Sequence, residues 1–254
     1  MYDRAPAEQV AAAFWEMVGY EPQYPCDPEE VLLWSQPDGF HLTCEGIAQL
    51  DIAMVNTRAR QLNIAHQFAG SNRRLRGCLL ADRGSGCILY DASDPADQQR
   101  FTKGHELAHF LVDYYFPRTR ALRLLGESIR PVLDGLRPPT LMERTHAAMM
   151  NIHLGVLGRL MERPDEGLPG ATVLMVEDRA DRIALELIAP SSVVIKWLDQ
   201  FVPQPGRLTQ LAWLTAILQN EYGLPGAIAA GYARELIRRW GSSALLDWII
   251  SNSR

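Results

Sequence analysis

The sequence predicts an α+β fold: a mostly helical body with a small sheet, followed by a C-terminal segment of helix-turn-helix character. Three observations predict it. Apolar residues recur at helical spacing through most of the chain, the clearest β signal is one glycine-turned hairpin, and Val202-Pro203-Gln204-Pro205-Gly206 reads as a hinge before the last two helices. The expected division is a body over 1–201, with an insertion at about 117–172, and a helical segment over 202–254.

Ala5 to Val18 is the first helix, with Val10, Phe14 and Met17 at helical spacing, and the proline-bearing loop Glu21 to Cys26 ends it. Asp27-Pro28-Glu29-Glu30 starts a second, with a cap, a proline at the first position and acids in the first turn. After the turn-rich break Trp34 to Gly39, Gly46 to Leu62 reads as helix with Ile47, Leu50, Met54 and Val55 inward. Cys78 to Ala81 and Cys87 to Tyr90 are short apolar runs around Asp82-Arg83-Gly84-Ser85-Gly86, which suits a hairpin. Its second strand is a candidate rail for an extended substrate, or only a support for the helix that follows.

That helix spans Gln99 to Tyr115. Ser93 and Asp94 are its cap candidates, Pro95 suits the first turn, and no proline follows until Pro117. Beyond it come a short helix at Arg120 to Leu125 and a longer one at Leu141 to Arg163, weakened by Gly155 and Gly158. The longer helix carries His146 and His153 two turns apart, a weak signal for a second metal site or for an oxyanion donor, a role for which Tyr114 and Tyr115 compete. Thr172 to Val176 leads into a helix from Glu177 to Pro190, and Ser191 to Phe201 forms another. Leu208 to Glu221 and Ala227 to Trp240 complete the pattern. From Arg207 onward five Arg stand against Glu221, Glu235 and Asp247, a small positive excess, so weak DNA contact by Arg234, Arg238 and Arg239 competes with packing or partner docking.

The chemistry sits in His105-Glu106-Leu107-Ala108-His109, an HExxH. On a helix the two imidazoles lie one turn apart on one face and can grip one zinc ion, while Glu106 beside them can polarise an attacking water. The third ligand has to come from elsewhere. Glu177 and Asp181 share a helix face at i, i+4 spacing: Glu177 can complete the protein ligands, and Asp181 can accept the outer N–H of a ligand histidine. The bland alternative is an ordinary charged face on which Asp178 pairs with Arg182.

Arg100-Phe101 followed by HELAH, and then Glu177, Ala180, Asp181, Ala184, Glu186, Leu187 and Pro190 in a downstream ExxADxxAxELxxP, resemble the ImmA/IrrE family of zinc metallopeptidases across roughly residues 75 to 195. The resemblance implies a gluzincin-like body, with His105, His109 and Glu177 as zinc ligands and Glu106 as catalytic base. It also implies a protein substrate, a helix-turn-helix repressor or a related regulator, in mobile elements or stress responses. Two departures stand out. Asp181 occupies a position where many members carry Asn, and the stretch between the motifs is long.

Composition fits this reading. The chain has 254 residues, 47% hydrophobic and 22% charged, ample for a core without disulfides, and its net charge of −5 argues against broad nucleic-acid binding. Cys26, Cys44, Cys78 and Cys87 form no CxxC pair and read as reduced thiols of a cytoplasmic protein. The N-terminus lacks the pattern of a signal peptide, and no apolar run is long enough to span a membrane. The sequence therefore predicts a zinc endopeptidase. Its rival is a regulator that keeps zinc for structure and binds a repressor or DNA without cutting it, and Glu106 is the residue that separates the two.

Overall fold

The computed structural model describes residues 6–37, 39–163, 171–198 and 206–252, with backbone alone for 171–177 and 241–252. It is a mixed α+β fold, mostly helical, built around an open four-stranded sheet. Helices α1 (Ala7–Val18) and α2 (Pro28–Trp34) come first, and the Asp27 carboxylate caps α2 by accepting from the Glu29 N–H at 3.0 Å. Then follow β1 (His41–Ile47), α3 (Ile52–Gln61), β2 (Leu75–Asp82), β3 (Ser85–Asp91) and α4 (Ala96–His109). The remaining elements are α5 (Phe116–Leu125), α6 (Arg130–Leu133), α7 (Leu141–Met149), β4 (Leu157–Glu162), α8 (Ala171–Ile188), α9 (Ser191–Leu198), α10 (Arg207–Asn220) and α11 (Gly226–Asn252).

The hairpin forms where the sequence places it. Asp82 pairs with Ser85 across Arg83 and Gly84, both at positive φ (49° and 88°), the backbone that lets a two-residue turn follow the strand twist. The sheet order is β1-β3-β2-β4, with β1 parallel to β3 and the other pairs antiparallel. Side chains alternate between two cores. Leu42, Leu79, Ala81 and Ile88 face α1, α4 and α8, while Cys78, Leu80, Cys87 and Leu89 face α3 with Val55 and Ala59.

Three expectations are corrected. Gly46 to Leu62 is not one helix: Gly46 and Ile47 end strand β1, and the helix starts only at Ile52, capped by the Asp51 carboxylate on the Met54 N–H at 2.8 Å. Leu141 to Arg163 is not one helix either. Helix α7 stops at Met149, Gly155 turns the chain at φ 81°, and β4 joins the sheet beside β2. Helix α4 starts at Ala96 without a side-chain cap, because the Ser93 hydroxyl and N–H both go to the Asp91 carboxylate.

Pro117 does not end the helical run. Between His109 and Phe116 the chain widens into a π-helical turn, Phe110–Tyr115, and Pro117 enters in the first turn of α5, at the change of register, where a missing N–H is tolerated. The C-terminal helices are not set apart from the body. Leu214, Leu218, Leu224, Ala233 and Leu236 share one core with Phe101 of α4 and Ala184 and Ile188 of α8. Helix α11 also runs well past Trp240, and the expected hinge at 202–205 lies outside the described residues. Among the described residues all four cysteines are free, and no helix is long and apolar enough to cross a membrane.

Candidate metal centre

Helix α4 is wedged between strand β2 and helix α8, and the wedge depends on two glycines. A Cβ on Gly104 would lie 2.9 Å from Ile188 Cδ1 and 3.5 Å from Ala184 Cβ, so the missing side chain is what lets α4 and α8 cross closely. A Cβ on Gly77 of β2 would lie 2.6 Å from Thr102 Cγ2 and 3.1 Å from Glu106 Oε1, so bare strand backbone forms the floor under the Glu106 carboxylate. On the same helix Lys103, itself buried, reaches Asp27 at 2.7 Å and Glu29 at 2.9 Å and lies over the Tyr90 ring, fastening α2 to α4.

The helix places His105, Glu106 and His109 together, each no more than 2% exposed. The two imidazoles meet edge to face with centroids 4.9 Å apart. Each is held from behind by a carboxylate: His105 Nδ1 lies 2.8 Å from Asp181 Oδ1, and His109 Nδ1 lies 2.7 Å from Asp113 Oδ2. An ionised carboxylate only accepts, so each Nδ1 carries the proton and each Nε2 presents a lone pair. That is the tautomer a metal-ligating histidine needs, with the orienting carboxylate on its far nitrogen.

Asp181 thus meets a histidine of the motif from α8. Glu177 precedes it by one helical turn on the same element, but the side chain of Glu177 lies outside the described residues. Among the described residues no group of three His, Cys, Asp or Glu side chains could hold a metal. The donor set is nevertheless of the right chemistry for zinc: two imidazoles with their tautomers set by carboxylates, and a carboxylate-bearing position one turn from one of those partners. Asp178 pairs with Arg182 at 3.0 Å on the exposed side of α8, so the ordinary charged face exists there as well.

Asp113 is the residue that sequence reasoning missed, although its i, i+4 spacing from His109 was a readable signal. It sits in the π turn with its side chain 17% exposed. Burial opposes its charge, but the hydrogen bond from His109 and the charges of Arg159 and Arg179 outweigh burial and hold the carboxyl below its usual range. Arg159, on β4, comes within 3.3 Å of the same Oδ2. No protein-family model, characterised protein or solved structure matches the chain.

The other candidates disperse. The Tyr114 hydroxyl accepts from the Gly84 N–H at 2.8 Å, tying it to the hairpin turn, and Tyr115 packs on Phe40 and Phe110. His146 and His153 no longer share a helix face, since α7 ends between them and His153 Nε2 turns to the Val156 carbonyl at 2.7 Å. Strand β3 cannot serve as a rail, because β1 and β2 pair with both of its edges; the outer strands are β1 and β4. In the C-terminal pair Arg239 bonds Glu8 of α1 at 2.7 Å, and with Arg238 it lines a cavity of about 360 Å³ beside Glu186 and Tyr232. The Arg239 guanidinium is thus engaged by the body, Arg238 is exposed at the rim of that cavity, and Arg234 folds back onto its own helix at the Ala230 carbonyl.

Proposed function

We propose that the chain is a zinc-dependent endopeptidase acting in the cytoplasm on a helix-turn-helix repressor or a related regulatory protein. The observation that carries the reading is the pair of buried histidines of one HExxH, each oriented through Nδ1 by its own carboxylate, with Glu106 buried between them in sequence. His105 and His109 would hold zinc through Nε2, and Glu177 is the third donor. Zinc, when bound, supplies Lewis acidity toward a water and the scissile carbonyl.

The chain's own residues do the rest. Asp181 and Asp113 fix the imidazole tautomers and keep both rings from rotating. Glu106, over the bare backbone of Gly77, accepts a proton from the attacking water and returns it to the leaving amine. Outer strand β4, whose Arg159 touches Asp113, is the edge along which an extended substrate segment would pair. The substrate class rests on the resemblance to the ImmA/IrrE family. A regulator that keeps zinc only for structure has no use for a buried carboxylate beside its first histidine, which favours the peptidase.

Glu106→Gln tests the reading, because it keeps the reach of the side chain and removes the base. Cleavage of a candidate repressor should fall on the order of a hundredfold or more, with zinc content and folding as in the parent. A folded, zinc-loaded Glu106→Gln chain that cleaves normally overturns the mechanism. One that keeps full biological activity while parent and variant alike cut nothing establishes the regulator.

A further inference from the structure

The two carboxylates behind the histidines are not held alike. Asp181 has a side chain 45% exposed, in contact with solvent, whereas the Asp113 side chain is 17% exposed and shares its Oδ2 between His109 Nδ1 at 2.7 Å and an Arg159 amino group at 3.3 Å. Arg159 comes from a different element altogether, the outer strand β4, where it stands opposite Leu79 of β2. A carboxylate with fewer partners can swing to another rotamer, and a guanidinium on the same oxygen opposes that.

We propose that Arg159 is a positioning residue for the metal centre: by holding Asp113, it fixes the tautomer and ring orientation of His109, so that zinc affinity depends on a strand residue with no place among the ligands. The inference rests on the zinc reading above.

The test is zinc affinity of the full chain, measured by competition with a chromophoric chelator, together with the absorption spectrum of the cobalt(II)-substituted protein. Arg159→Gln should weaken zinc about tenfold, and Asp113→Asn by as much or more, as removal of such outer partners does. The double variant should be no weaker than Asp113→Asn alone, since Arg159 acts only through that carboxylate. Arg159→Lys, which keeps the charge, should recover most of the loss and the parental cobalt spectrum. Parental zinc affinity in Arg159→Gln overturns the inference, as does a double variant in which the two losses add. A parent chain that takes up no zinc in the same titration overturns the metal reading itself, and this inference with it.

Discussion

Gly77→Ala inserts one methyl group between strand β2 and the motif helix. The new Cβ would meet Thr102 Cγ2 at 2.6 Å, Glu106 Oε1 at 3.1 Å and the Leu89 carbonyl at 3.3 Å. Carbon atoms in contact prefer about 3.5 to 4.0 Å, so the overlap with Thr102 is close to 1 Å. Neither wall yields easily. Thr102 is β-branched on a buried helix with few rotamers open to it, and Leu89 lies in the paired strand β3.

The strain should therefore move backbone, at a cost of about 1–3 kcal/mol as for other overpacked cores. For a chain of this size that is a fall in Tm of roughly 2–10 °C, read by calorimetry or circular dichroism. Cleavage should fall further than the lost stability explains, because the displaced atoms include the Glu106 carboxylate. Thr102→Ser removes the clashing methyl and, combined with Gly77→Ala, should restore most of the Tm. A Gly77→Ala chain that melts within about 1 °C of the parent refutes the close approach of β2 to the motif helix, since even the low end of the overpacking cost exceeds that.

Two further outcomes follow from buried charges. Asp91 is 1% exposed and accepts from Gln49, Ser93, Arg74 and Arg163; burial raises its pKa, but those bonds outweigh it and hold the carboxyl well below its usual range. A depressed folded pKa gives stability that is present above the ordinary carboxylate pKa and lost as pH falls through the folded value. Asp91→Asn should cost about 1–3 kcal/mol at pH 7, and the gap from the parent should begin to narrow only below about pH 4 and go on shrinking as pH falls toward the folded value, as a series of denaturant titrations from pH 7 downward would show. Lys103→Met removes a buried cation from Asp27 and Glu29 and should cost about 1–3 kcal/mol. Arg130→Met, which breaks an exposed pair with Glu127, should leave the denaturation midpoint indistinguishable from the parent in the same assay.

What the sequence made legible was what local spacing controls. The HExxH helix, the Asp27-Pro28 helix start and the hairpin at Arg83-Gly84 each depend on residues within a few positions of one another, and each appears where the pattern puts it. Strands β1 and β4 were not legible, because their partners are distant. His41 pairs with Ser85 and Arg159 with Leu79, and nothing local in Gly46 to Leu62 or Leu141 to Arg163 announces those pairings. Leu50 misled by falling at helical spacing from Met54 while filling the core under α3 from a loop position.

The site shows the same division. Asp181 could be named from its spacing to Glu177, and Asp113 from its i, i+4 spacing to His109 even though a π turn carries it, whereas Arg159 reaches Asp113 from a strand that was read as helix. The close approach of α8 at Gly104 depends on Ala184 and Ile188, about 80 residues away in the chain, which no local pattern announces.

The most direct measurement is the metal content of the purified chain, by elemental analysis, beside the His105→Ala/His109→Ala double variant. The account predicts about one zinc per parent chain and none retained by the double variant, because one carboxylate cannot hold the ion alone. A parent chain without zinc after exposure to it, or a folded double variant that keeps its full zinc, would contradict the assignment of His105 and His109 as ligands.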